Sequence, residues 1–198
     1  MTYQGNDADR IVVGANGTVF VAGIDAVAPT DATTPISSVA PHDAGPNDYV
    51  ELGFVSENGV QVTPSQVIAP IMAWQSAYPV RQIVTSRGLE LDFVLREFNA
   101  ESIPFAFGGG TLLEQVGEKF VYTPPEPQDL DRRTLVVDWQ DGTRDYRLYI
   151  PNGQVTDLAQ FTLSRTAPAE LPIKFVLNHF GSGAPWTLFS DDEGLEGS

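Results

Sequence analysis

The sequence predicts a mainly β protein: a sandwich or barrel of the antiparallel kind, with one short helix, one long loop and extended termini. Three observations carry this. Four Asn-Gly or Asp-Gly pairs stand at Asn16-Gly17, Asn58-Gly59, Asp141-Gly142 and Asn152-Gly153, and such pairs supply the positive φ that tight hairpins need. Residues 88–98, GLELDFVLREF, alternate with period two: Leu89, Leu91, Phe93 and Leu95 on one face, Glu90, Asp92, Val94 and Arg96 on the other, which is a strand with one buried and one wet face. The chain also holds 15 prolines and 18 glycines with almost no helical periodicity, and closing the sheet removes the edges that a β protein must otherwise protect.

Taken in order, Val19 and Val21 open the first strand. Around Asn58-Gly59, VELGFVSE is expected to face VQVT as a hairpin, followed by a proline-punctuated crossover around Trp74 and then the long strand. Asn99 is a candidate cap for a short helix that Gly108-Gly109-Gly110 ends. Pro104 keeps that helix short, because a proline past the first turn removes an internal bond. Lys119–Thr123, Gln160–Arg165 and Pro172–Asn178 read as further strands. RRTLVVDWQ and TRDYRLYI around Asp141-Gly142 form the strongest hairpin, and the run after Asn152-Gly153 returns from Gln154. Two segments fall outside this pattern. Residues 25–48 carry four prolines without period, a length of loop that in a compact domain is functional or disordered. Residues 181–198 form an acidic tail with an apolar patch from Trp186 to Phe189. The expected organisation is one domain over 1–180, with the tail over 181–198.

Composition narrows the function. At 198 residues and 42% hydrophobic, the chain can bury a real core. It has no cysteine, which excludes disulfides, thiolate nucleophiles and zinc-thiolate sites. The start, MTYQGNDADRIVVGANG, has no basic stretch followed by an apolar one, so no secretory signal is expected; Asn16-Gly17-Thr18 therefore reads as a turn rather than a glycosylation acceptor. Eleven basic residues stand against 26 acidic ones, a net charge of −15. Residues 1–80 hold Arg10 as their sole basic residue, and residues 175–198 hold none. Gripping nucleic acid needs the reverse balance, since affinity for a phosphate backbone comes from neutralising it.

No constellation of reactive groups emerges. His42 lies in the long loop and His179 at a strand end, neither beside a nucleophile motif. Two histidines without cysteine make a poor transition-metal set. The glycine triplet has no lysine where a phosphate loop requires one. Asp138, Asp141 and Asp145 lack the alternating spacing of a calcium loop, and the hairpin accounts for Asp141. Glu90 and Asp92 share a strand face, as paired carboxylates for glycoside cleavage would, but no aromatic platform accompanies them. No cofactor, metal or catalytic residue is assigned.

At Trp74-Gln75, Pro79-Val80-Arg81, Glu97-Phe98-Asn99 and Gly108-Gly109-Gly110, within an order running from NGTVFVA through VELGFVSENGV to LPIKFVLN, the chain resembles the major tail tube proteins of long, non-contractile-tailed phages, particularly those infecting actinobacteria. The resemblance covers roughly residues 10–180. It implies a β-sandwich-like barrel with a flanking helix, six copies per ring, and rings stacked head to tail around a β-lined channel. DNA would pass through that channel without specific binding. The implied partners are further copies, a tape-measure protein and other tail proteins, in the virion, after synthesis in the host cytoplasm, with no enzymatic activity and no membrane.

On that reading, Glu90, Asp92, Arg96 and Asp138 are expected to face the lumen, because a channel for DNA should repel phosphate. The long loop and the tail are expected to supply the inter-ring contact through Asp25, Pro29, Pro35, Ile36, Pro41, Asp48 and Trp186, since stacking needs two complementary faces. Two other readings stay open. A carbohydrate-binding or adhesive β-sandwich would use exposed tryptophans, although Trp139 shares a face with Leu135 and Val137. A single-ring tail terminator or connector would need no contacts on both ring faces.

Overall fold

The computed structural model describes residues 11–38, 45, 47–115, 119–126, 128, 130–181, 183–192 and 195. Ten strands and one short helix follow in order: β1 (Asn16–Gly23), β2 (Val50–Glu51), β3 (Val55–Ile71), β4 (Arg81–Leu95), α1 (Ser102–Ala106), β5 (Thr111–Gln115), β6 (Lys119–Thr123), β7 (Arg132–Asp141), β8 (Arg144–Asp157), β9 (Leu171–Leu177) and β10 (Thr187–Ser190). The predicted mainly β class is what forms. One antiparallel sheet runs β2-β1-β7-β8-β9-β4-β3, with β10 beside β8; β5 and β6 pair separately.

The alternation of β4 is realised as read. Leu89, Leu91, Phe93 and Leu95 are buried, and the residues between them are half-exposed. They meet Val19 and Val21 from β1, Leu135 from β7, Ile150 from β8 and Phe175 from β9 in one core. The sheet thus curls around its own apolar face. Phe105 of α1 closes one end, stacked on Phe175 with ring centroids 6.0 Å apart. Burying side chains of this size stabilises by about 1.5–3 kcal/mol each. A second cluster lies on the opposite face of β1, β7 and β8. There Ala22, Val136, Tyr49 and Tyr149 are covered by Ile36 from the long loop and Phe189 from β10. Buried on both faces, the central strands have the continuous apolar runs LVV and LYI.

The helix forms where expected. Asn99 Oδ1 accepts from the backbone N–H of Glu101 and Ser102 at 2.9 and 2.8 Å, satisfying donors the helix itself leaves open. Pro104 is the third helical residue, within the first turn, where no internal donor is required.

Three of the four Asn/Asp-Gly pairs depart from expectation. Asp141-Gly142 is the hairpin turn, with Asp141 paired to Arg144 and Gly142 at φ 63°. Asn58-Gly59 makes no hairpin. Gly59 has φ 68°, but the pairing moves from Val55↔Leu95 to Val60↔Phe93, so residues 56–59 bulge from one continuous strand. Asn16-Gly17 starts β1. Asn152-Gly153 lies inside β8, where an extra residue is accommodated between Ile150↔Leu135 and Gly153↔Arg133. Pro151 suits such a bulge because it has no N–H to lose. Its carbonyl accepts from Thr134 Oγ1 at 2.9 Å, and Asn152 Nδ2 donates to the His179 carbonyl at 2.7 Å. Gly153 is needed for close approach: a Cβ there would overlap the Phe175 ring and come within 2.8 Å of the Val176 carbonyl.

Gln160–Arg165 is not a strand. Phe161 instead packs edge-on against Phe98 and Phe107, at 5.7 and 6.2 Å, so aromatic contact with the helix region overrides the local pattern. The crossover expected around Trp74 is also absent. Beyond Pro64 and Pro70, β3 runs on to Ile71, residues 72–80 turn, and β4 returns paired from Ile71↔Arg81 to Val60↔Phe93, with one bulge between Val67↔Ser86 and Ile68↔Val84.

Candidate assembly surface

This pairing creates the most unusual feature of the molecule. No residue from Gln61 to Gly88 is buried. Among the described residues, β3 and β4 pair only with one another over that span, because β9 begins its pairing with β4 at Glu90. The result is a two-stranded arm standing off the body. A lone two-stranded ribbon is marginally stable in water, yet this one carries apolar residues on both faces, including Val67, Ile68, Ile83 and Val84. At its tip Trp74 is fully exposed, and Met72, Tyr78 and Val80 are exposed with it. Local bonds shape the tip: Val80 N–H donates to the Ile71 carbonyl at 2.9 Å, and Ser76 Oγ donates to the Tyr78 carbonyl at 2.9 Å. The prolines fit an edge strand, where a missing N–H faces away from the ladder, and they blunt that edge against further pairing.

The expected lumen residues fall in two places. Glu90 and Asp92 lie side by side on the wet face of β4, and Glu90 holds Lys174 Nζ at 2.7 Å, a contact that raises the lysine's pKa. Arg96 continues this row and pairs with Glu170 at 2.9 Å. Asp138 is separated from them by β8 and β9. It forms a bidentate pair with Arg147 at 2.6 and 2.7 Å, and Arg147 is 3% exposed. The same guanidinium donates to the carbonyls of Asp31 and Thr34 at 2.8 and 2.9 Å. Its pKa is raised, first by the hydrogen bonds to Asp138.

Those bonds tie down the first part of the long loop. Asp31 gathers it into a turn, accepting from the N–H groups of Thr33 and Thr34 and from three threonine hydroxyls. Its pKa is driven far below the ordinary carboxylate range, chiefly by the Thr34 N–H. Tyr49 Oη donates to the Val27 carbonyl at 2.9 Å, and burial pushes the Tyr49 phenol up to about 12. Of the expected inter-ring residues, Asp25, Pro35 and Asp48 are exposed, Pro29 and Ile36 are half-buried, and Ile36 packs on the body. Pro41, like His42, lies outside the described residues. The apolar patch of the tail is held by its own chain. β10 pairs with β8, Asp191 Oδ1 accepts from the Asp145 N–H at 2.6 Å, and Asp192 Oδ2 accepts from Tyr146 Oη at 2.9 Å. Trp186, just before β10, stays 43% exposed.

An open groove of about 920 Å³ lies where β1 approaches the start of β3, near the seam of the curled sheet. Val60, Trp139 and Tyr146 line it, with Trp139 and Tyr146 stacked in parallel at 5.3 Å. Among the described residues its charged lining is acidic: Glu51, Glu57, Asp138 and Asp145. Among the described residues, no group of three histidine, aspartate or glutamate side chains gathers to hold a metal ion.

A family model described as "Phage tail tube protein" matches residues 4–196. The chain belongs to the phage tail tube protein family. A search of curated proteins finds no match. Membership makes this a structural component of a phage tail, and it gives the free-standing arm a context, because a tube subunit is surrounded by copies of itself. The arm is what sequence reasoning missed. Its signals were present: period two opens in VQVTP, β-branched residues continue through QVIAPI, and QIVTS leads without interruption into the long strand.

Proposed function

We propose that this protein forms six-membered rings that stack head to tail into a hollow tube, through which DNA reaches the host cell without specific binding. The arm from Gln61 to Gly88 carries this reading. A paired ribbon that buries nothing and exposes apolar groups on both faces is unfavourable on an isolated subunit and reasonable on one that neighbours enclose. The acidic balance supports it, since a wall that binds phosphate would hold DNA rather than pass it. In this role Glu90, Asp92 and Arg96, and more weakly the shielded Asp138, face the lumen. The exposed parts of the long loop and Trp186 contribute to ring-on-ring contact, with a tape-measure protein and other tail proteins at the tube's interior and ends. The subunit has no catalytic task and is made in the host cytoplasm before assembly.

Negative-stain microscopy of the concentrated protein tests the reading. Hollow tubes of constant width, sixfold in end view, are the expected result. Single rings that never stack would favour a terminator or connector, and retention on immobilised glycans without assembly would favour an adhesive module. A density map placing Glu90 and Asp92 on the outer wall would remove them from the lumen.

A further inference from the structure

We infer that the tip of the arm seats in the acidic groove of a second copy of this chain. The inference rests on the tube reading and names the surfaces involved. Charge supplies the first argument. Residues 58–89 contain no aspartate or glutamate and two arginines, Arg81 and Arg87, so the arm is a cationic segment on a chain of net charge −15. Among the described residues the groove is lined by four acids and no basic residue, and one of the four, Asp138, is already neutralised by Arg147. Glu51 and Glu57 are exposed at its rim and make no ion pair among the described residues.

Shape and chemistry supply the second. The tip presents Met72, Trp74, Tyr78 and Val80 to solvent, and the groove offers Val60 and Trp139, which is backed by the buried ring of Tyr146. An aromatic side chain buries roughly 150–250 Å², and a stable interface takes about 800 Å² per partner. Trp74 and Tyr78 would therefore supply about half of it, and the flanks of the arm the rest. Arg81 leaves the tip beside them, able to reach the rim carboxylates.

Reach supplies the third. Val62 stands at the groove's edge, and nine residues at about 3.3 Å each carry Ile71 roughly 30 Å away. A tip that far from its own groove fills another copy's. A contact between two different surfaces of one chain is heterologous, and it propagates or closes into a ring according to the rotation it imposes.

The absence of native cysteine makes the test direct. Gln75→Cys (tip) and Asn58→Cys (groove rim) are prepared as separate variants, mixed at assembly concentration and oxidised. Ala167→Cys, at another exposed site, replaces Asn58→Cys in the control. Tip–groove dimers exceeding the control pair by at least about tenfold are expected, because docking raises the effective concentration of the two thiols. Arg81→Glu should weaken assembly, and Glu57→Arg in the same chain should restore it. Tubes that form without tip–groove cross-links would overturn this inference and leave the tube reading standing. Cross-links in material that forms no rings would uphold the contact and sink the tube reading. Neither cross-links nor charge rescue would overturn the contact.

Discussion

At the scale of single residues, Arg147 has the largest consequences. It is buried, it neutralises Asp138, and it hydrogen-bonds two loop carbonyls. Removing one partner of a buried pair leaves the other uncompensated and costs about 3–5 kcal/mol. Arg147→Ala should lie near 3, because the Asp138 side chain keeps 26% exposure. Chemical denaturation reads the loss, and limited proteolysis between residues 25 and 38 should accelerate with it. A change below about 0.5 kcal/mol, typical of neutral surface substitutions, would show that the loop is not anchored there. Asp31 makes a separate, pH-dependent prediction. Its folded pKa is depressed by the threonine donors, so the unfolded chain binds the proton more readily. Its contribution is complete above the ordinary aspartate pKa of about 4 and is lost as pH falls below it. Asp31→Asn should flatten stability against pH in the acid range by up to one proton's slope, with little change of slope near neutrality. An unchanged acid slope in urea titrations would refute this role.

At the scale of elements, the sequence was most legible where local chemistry had one outcome. The Asp141-Gly142 hairpin, β6, β9 and the buried face of β4 follow directly from turn residues and period two. Asn58-Gly59 and Asn152-Gly153 did not, because positive φ and small size serve a bulge or a close ring contact as well as a hairpin, and only the neighbouring strand decides. The arm was obscured by Pro64 and Pro70, which read as interruptions and prove compatible with an edge. For the candidate site, the wet row on β4 was visible from alternation. The Arg147 anchor and the acidic groove were not, since each unites segments distant in sequence. The arm yields its own prediction. Ser65 and Gly88 face one another across the ribbon, so an Asn-Gly turn can replace residues 66–87 and close a two-residue hairpin. Since nothing in the excised span is buried, folding free energy should change by only about 0.5 kcal/mol, while assembly is abolished. A loss of several kcal/mol would mean that the arm belongs to the fold rather than to the assembly.

At the scale of the whole molecule, electrostatic and apolar contributions to assembly carry opposite salt dependence, and their sizes decide the outcome. Each copy carries −15, whereas the arm offers two arginines to a neighbour. Bringing copies together therefore meets long-range repulsion that two local pairs do not offset. Exposed charges interact over about 30 Å at 10 mM salt and about 8 Å at 150 mM. Raising salt across that interval screens the repulsion between bodies while leaving the apolar contacts of Trp74, Met72 and Tyr78 in place, since apolar burial does not depend on charge. The concentration of protein needed for assembly should accordingly fall between 10 and 150 mM salt and then level off, as light scattering or sedimentation would record. Arg81→Glu should need more protein throughout, with its deficit largest at low salt, because the substitution both removes an attraction and adds to the repulsion. Assembly that weakened steadily with added salt would instead place the attraction in ion pairs, and the apolar tip would lose its role as the anchor.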